Sequence, residues 1–177
     1  AVHDDRADAK TVLSAVRELI AETKAPVFAA VIDRYERRAI PALAALAAAD
    51  GIPDPARTFG GHHYLAVPVA MDWNRARAFC GNHGAHLAVI TDEKEQAWIV
   101  KAFPLDEHAA LWLGGSDRRK EGQWQWITGE EWRYEHWGQD QPDDFEGGED
   151  ALELRWDGTW NDARVIRRHG FLMEWDR

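Results

Sequence analysis

The chain has 177 residues, enough for one large domain or for an ordinary domain with an extension. Hydrophobic residues make up 45% and permit a real core, while 21 Lys and Arg against 31 Asp and Glu leave a formal charge of -10. That balance excludes a nucleic-acid surface, which needs clustered cations, and it suits either cation binding or plain solubility.

Residues 1–50 read as helix. In 9-AKTVLSAVRELIAETK-24, Leu13, Val16 and Ile20 share one stripe, which Val12 and Leu19 widen. In 27-VFAAVIDRYERRAIPALAALAAAD-50, Val27, Val31, Ile32 and Tyr35 share a face, with Pro26 at a helix start and Pro41 at a break. The two prolines interrupt any long heptad, so a structural extension is favoured over an oligomer-forming neck, and oligomerisation stays open. The Ala-rich run 39–50 is too short for a membrane span and contains a proline. Residues 51–61, GIPDPARTFGG, read as a linker, which places a boundary before a second domain over 62–177. His62 and His63 fall at that boundary. Adjacent residues of a strand face opposite ways, so the pair cannot chelate one metal.

From there the run 64-YLAVPVA-70 has strand composition. The segment 72-DWNRARAFCGNHG-84 predicts a helix capped by Asp72, with Trp73, Ala76, Phe79 and Cys80 on one side and a stop at Gly84. A second helix is predicted over 91–103, capped by Thr91 or Asp92. Strands are predicted in 111-LWLGGSD-117, 123-QWQWIT-128, 151-ALELRW-156 and 170-GFLMEW-175. Strand, two helices and then only strands and loops make an α+β fold rather than a doubly wound sheet. The single cysteine, Cys80, excludes an intrachain disulfide and points to a reducing compartment or to a fold that manages without bridges. Ten tryptophans supply large aromatic anchors for a compact fold or a binding surface.

The stretch 139-QDQPDDFEGGEDALELRWDGTWND-162 concentrates carboxylates around a proline and two glycines. So much like charge calls for solvent or for a cation. Asp117, Glu121, Gln141, Asp143, Asp144, Glu149, Asp150, Asn161 and Asp162 are all oxygen donors, as calcium prefers, and no His or Cys joins them, which argues against zinc. The EF-hand spacing is absent, and a solvated acidic loop remains the alternative reading.

The sequence resembles the C-type lectin-like domain over about residues 60–177. The likeness runs through Trp73, Cys80, Gly84, Leu87, Glu93, Glu95, 112-WLGG-115, Asp117, Gly122, Trp124, Trp126, Gly129, Trp137, Gln141-Pro142-Asp143, Glu149, Trp160-Asn161-Asp162 and 171-FLMEW-175. It implies that fold, with a long calcium-binding loop and one or two Ca2+ ions. It implies a principal calcium held by Gln141, Asp143, Glu149, Asn161 and Asp162 about a cis Pro142. An auxiliary calcium follows from it at Asp117, Glu121, Asp144, Glu149 and Asp150. In the family the Gln-Pro-Asp triplet goes with galactose-type sugars. Gln141 donates and Asp143 accepts, the reverse of a Glu-Pro-Asn triplet. Phe145 stands where galactose-binding relatives often carry Trp, either to stack on the sugar or to pack back into the loop.

The family's two disulfides are missing: Met173 stands where a cysteine would face Cys80, and Ala151 and Val165 occupy the second pair. A bridge-free version suits a bacterial or intracellular chain, whereas the resemblance itself implies an extracellular or cell-surface one. The resulting expectation is a non-enzymatic, calcium-dependent binder of a glycan or glycoconjugate. Its sugar contacts are Gln141, Asp143, Phe145, Glu149, Asn161 and Asp162. The alternative is a calcium-stabilised module for a protein partner.

Overall fold

A computed structural model describes residue 52 and residues 56–176. The helices expected in residues 1–50, and the linker apart from residues 52 and 56–61, lie outside the described residues. Among those described, no helix is long and apolar enough to cross a membrane.

Among the described residues eight strands and two helices follow in chain order: β1 (Arg57–Phe59), β2 (His62–Met71), α1 (Trp73–Asn82), β3 (His86–Leu87), α2 (Glu93–Ala102), β4 (Ala110–Ser116), β5 (Gln125–Trp126), β6 (Ala151–Arg155), β7 (Trp160–Ala163) and β8 (His169–Trp175). One sheet runs β1-β2-β8-β4-β6-β7, with β3 on β8 and β5 on β4. Its pairings are antiparallel except β4 with β8, where Leu111 meets Gly170 and Trp112 meets Phe171 in parallel. The α+β architecture matches the order of the sequence signals. β1 lies inside the segment read as linker and pairs Arg57 with Tyr64.

Both helices begin on an aspartate. Asp72 accepts the Arg75 amide at 3.0 Å, and the helix buries Trp73, Ala76 and Cys80 at the spacing of one face. Asp92 accepts the Glu95 amide at 2.9 Å, while the Glu95 carboxylate reaches back to the Thr91 amide at 2.8 Å. This is a capping box displaced by one residue, which a pairing of Thr91 with Lys94 overlooks. The Cys80 side chain is buried, and burial pushes its thiol pKa up, away from the reactive thiolate.

The tryptophans mostly build the interior. Trp160 is completely buried, and around it lie Trp126 at 5.7 Å, Trp132 at 5.8 Å, Trp137 at 6.0 Å and Tyr134 at 5.6 Å between ring centroids. Its indole N–H donates to Gln96 Oε1 at 2.9 Å, and the Gln96 amide donates in turn to the Gly158 carbonyl. The segment joining β5 to β6 has little regular structure. It is anchored to the sheet by its own aromatic rings and by the pair Trp160 N–H to His136 O and Gly138 N–H to Trp160 O, both 2.8 Å.

β4 passes close to β3. A Cβ on Gly114 would lie 2.6 Å from the Leu87 carbonyl oxygen, a backbone atom that cannot swing aside. Gly114→Ala is therefore expected to destabilise the fold by about 2–3 kcal/mol, the upper part of the overpacking range, measured as a lowered urea midpoint.

Candidate functional site

The long segment after β5 turns back at Gln141–Pro142, a cis peptide bond, and enters the carboxylate-rich stretch. Asp140, Asp144 and Glu146 adopt φ values of 62°, 42° and 58° there. Left-handed backbone is uncommon outside glycine, and its recurrence here marks a loop whose shape is set by specific contacts. Those contacts run from backbone amides to carboxylates. Asp144 Oδ1 accepts the Gly148 and Glu149 amides at 2.6 and 3.0 Å. Asp162, on β7, accepts the Asp143 amide through Oδ1 at 3.2 Å and the Asp144 amide through Oδ2 at 2.7 Å. Glu149 Oε2 accepts the Phe145 amide at 3.2 Å.

The result is two convergent groups. Asp143, Glu149 and Asp162 bring one carboxylate oxygen each within 4.8 Å of one another, and Asp117, Glu121 and Asp150 do the same. Glu149 and Asp162 are only 4% and 1% exposed. Leaving them uncompensated is costly, and burial followed by the charge of Asp162 raises the Glu149 pKa, against the pull of Arg167. Burial likewise raises Asp117, and Glu121 rises through desolvation and the charges of Asp117 and Asp144. Arg167 Nη2 stands 3.6 Å from Glu149 Oε1, and Arg118 Nε stands 4.0 Å from Asp150 Oδ2.

Two neutral or half-used donors complete the picture. Gln141 Oε1 is buried and accepts no hydrogen bond, and Asp117 Oδ1 is buried in the same condition. Unpaired acceptors of this kind are rare in a folded interior and fit a cation as the missing partner. Asn161 Nδ2 donates to Glu153 Oε1 at 3.1 Å and to the Asp162 carbonyl, which engages the amide's nitrogen side and leaves its oxygen as the atom able to serve a cation. An all-oxygen set of carboxylates and amides, six or more in number, suits a hard cation of calcium's size.

Set against the expected ligands, Asp143, Glu149 and Asp162 converge as one group, while Asp117, Glu121 and Asp150 form the other. Asp144, expected with the auxiliary set, turns one oxygen into the loop's own backbone. Glu149, expected in both sets, groups with Asp143 and Asp162. Phe145 is 60% exposed and does not pack back into the loop. Sequence reasoning passed over Glu153, Arg167 and Ser116, whose hydroxyl donates to the Asp150 carbonyl at 2.6 Å. Glu153 carried no signal of its own beyond a strand position. It lies between Leu152 and Leu154, on the strand face opposite the core, in register with Asn161.

Comparison with known proteins adds three findings. The family model described as the lectin C-type domain matches residues 69–172. Mouse asialoglycoprotein receptor 2 is 36% identical over 111 residues, 59% of this chain and 35% of the receptor, and the galactose-specific lectin nattectin of Thalassophryne nattereri is 35% identical over 106 residues, 58% of this chain and 67% of nattectin. The carbohydrate-recognition domain of the mouse scavenger receptor C-type lectin superposes with a TM-score of 0.65 at 30% identity, covering 71% of this chain and 96% of that domain. The chain spans about a third of the length of the curated relatives it first matches. These relatives are animal proteins and lend no support to a bacterial source.

Proposed function

The chain belongs to the lectin C-type domain family, a carbohydrate-binding and non-enzymatic class, and from that premise we propose that its long loop binds a glycan through calcium, with a preference for galactose-type termini. The observation that carries the reading is the convergence of Asp143, Glu149 and Asp162 beside the unbonded, buried oxygen of Gln141. Gln141, Asp143, Glu149, Asn161 and Asp162 form the principal site. Asp117, Glu121 and Asp150, with Asp144 and Glu149 adjoining, form an auxiliary one. When bound, calcium supplies coordination positions that sugar hydroxyls can take from water.

The residues do the orienting. Gln141 retains Nε2 as a donor and Asp143 its second oxygen as an acceptor, so adjacent hydroxyls meet one donor and one acceptor in that order. Glu153 holds the Asn161 amide, so its oxygen is presented to the site. Asp162 ties the backbone of residues 143 and 144, which couples the loop's shape to the ligand set. Phe145 offers an exposed ring to the apolar face of a galactose-type sugar. Phe145→Ala is expected to weaken galactose binding about 2- to 10-fold, the worth of one aromatic contact, with no change in thermal midpoint. We place the start of the lectin domain at β1 and the protein at the cell surface or outside the cell, as for its relatives.

Acid should release the ion. Glu149, Asp117 and Glu121 all hold protons more tightly than ordinary carboxylates, so protons compete with calcium from above the usual carboxylate range. Calcium affinity, titrated at a series of pH values, is expected to fall as pH is lowered and to begin falling above the range where unperturbed carboxylates protonate.

Retention on immobilised galactose and mannose, in calcium and then in chelator, tests the assignment. Chelator-released retention on galactose supports it. Retention on mannose alone removes the galactose preference. Retention on neither sugar, with calcium still raising the thermal midpoint, turns the reading to a calcium-stabilised protein-binding module.

A further inference from the structure

The histidine pair at the start of β2 separates as a strand demands, and only one member is left without a role. His63 Nδ1 meets Thr58 Oγ1 at 3.3 Å on the side of β1. His62 turns the other way, its Nδ1 2.7 Å from Glu174 Oε1 and 3.2 Å from Asp176 Oδ1. The sheet explains the meeting. The end of β8 is flanked by β2, which pairs His63 with Trp175, and by β3, which pairs His86 with Glu174. A second imidazole therefore arrives from the far side, with His86 Nε2 3.4 Å from the same Asp176 oxygen. None of the four residues belongs to the acidic loop.

The hydrogen bonds around these groups leave a gap that a cation fits. His86 Nδ1 donates to the Leu87 carbonyl at 2.9 Å, and its Nε2 is hydrogen-bonded to Asp176 Oδ1, which fixes the ring beside that carboxylate. Glu174 is 3% exposed, and its Oε2 accepts the Val89 amide at 2.9 Å. Its Oε1 shares the single Tyr64 hydroxyl proton with Glu95, which sits closer, at 2.5 Å against 3.1 Å. His62 Nδ1 is shielded from solvent and stands next to two carboxylate oxygens, yet it has no aligned hydrogen bond to either. His62, Glu174 and Asp176 each bring one ligand atom within 4.8 Å of the other two, close enough to share a third atom. A tetrahedron of bonds of about 2.0 Å has edges of roughly 3.3 Å, against 3.2 Å from His62 to Asp176 and a tighter 2.7 Å from His62 to Glu174.

We propose that His62, Glu174 and Asp176 form a zinc site that clamps β2 to the end of β8, with His86 of β3 hydrogen-bonded to the Asp176 ligand. An imidazole nitrogen beside two carboxylate oxygens is a borderline donor set, which favours zinc over calcium and separates this site chemically from the all-oxygen loop. Bound zinc neutralises the carboxylate pair and takes the lone pair of His62.

The test is zinc titration by calorimetry on the full chain held in saturating calcium, which occupies the oxygen sites. Wild type is expected to bind one zinc beyond the calcium complement and to gain thermal stability from it. His62→Gln and His86→Gln are each expected to lower zinc affinity at least about tenfold, because even outer-shell partners of a metal contribute that much. His63→Gln, on the opposite face, should bind as wild type does. Cobalt(II) provides a second readout, as its visible absorption in wild type should carry the intensity of a low-coordinate nitrogen–oxygen site and lose it in His62→Gln. His62 is at the partly exposed start of its strand, so that variant keeps the fold, which its metal-free thermal midpoint verifies. No zinc uptake by wild type in calcium, or uptake by His62→Gln equal to wild type, overturns the proposal and leaves an ordinary histidine–carboxylate ion pair. The result is independent of sugar binding, so failure here does not touch the lectin reading.

Discussion

Asp143→Ala should lose calcium-dependent retention on galactose and should bind calcium at least about 100-fold more weakly, since removing even an outer-shell partner costs 10- to 100-fold and this side chain belongs to the cluster itself. The change is clean because Asp143 is exposed and contributes to the fold through its backbone amide, which donates to Asp162 and survives the substitution. Neither the left-handed turns nor the aromatic anchors involve its carboxylate. The calcium-free thermal midpoint should therefore match wild type, while the calcium-induced rise shrinks. Calorimetric titration with calcium, followed by the galactose column, reads both. Undiminished sugar retention by this variant would mean that the glycan is not held through the Asp143, Glu149 and Asp162 group.

The largest effect on stability is expected at Trp160. Replacing it with alanine removes a completely buried ring in contact with Trp126, Trp132, Trp137 and Tyr134, and strands the Gln96 amide oxygen that accepts its N–H. Cavity formation at a buried Trp costs about 3–5 kcal/mol, and the lost hydrogen bond places this site at the upper end. Urea denaturation should show the midpoint falling with little change in slope. Calcium affinity should fall with it, because Asn161 and Asp162 follow Trp160 on the same strand and Gly138, just ahead of the loop, bonds to its carbonyl. Trp160→Phe should recover part of the stability, since it refills most of the volume without the N–H.

Much of this was legible in the chain. Helix α1 announced itself through Asp72, the spacing of Trp73, Ala76 and Cys80, and the stop at Gly84, all local signals that tertiary packing did not override. β4 and β8 were equally plain as apolar runs. β5 is a two-residue part of the strand read over 123–128, whereas β3 was harder, because two residues carry no period, and β7 was harder still, because its sequence, WNDA, looks like a loop until Leu152 and Leu154 supply partners for Asp162 and Trp160. The site's ingredients could be read as a list, since oxygen donors crowd residues 141–162, but their grouping came from the family resemblance and not from residue type. Which carboxylate joins Glu149, and that Asp144 spends an oxygen on the loop's own amides, depends on left-handed turns at Asp144 and Glu146 that residue type alone does not dictate. Glu153 illustrates the remaining gap: a strand position facing away from the core reads as solvated until Asn161 is found across from it.

The lone, buried Cys80 has a consequence for where such a domain can work. With no crosslink to break, a thiol–disulfide buffer has nothing to act upon, and stability becomes independent of the redox potential of the surroundings. Folding needs no oxidant and no disulfide isomerase, and the sorting of cysteine partners, a slow step in bridged domains, has no counterpart. The constraint that a covalent bridge places on an unfolded chain has its counterpart in packed tryptophan and, at the proposed calcium site, in a bound ion. On that proposal calcium concentration, rather than oxidising power, is the environmental variable that sets how long the loop holds its shape.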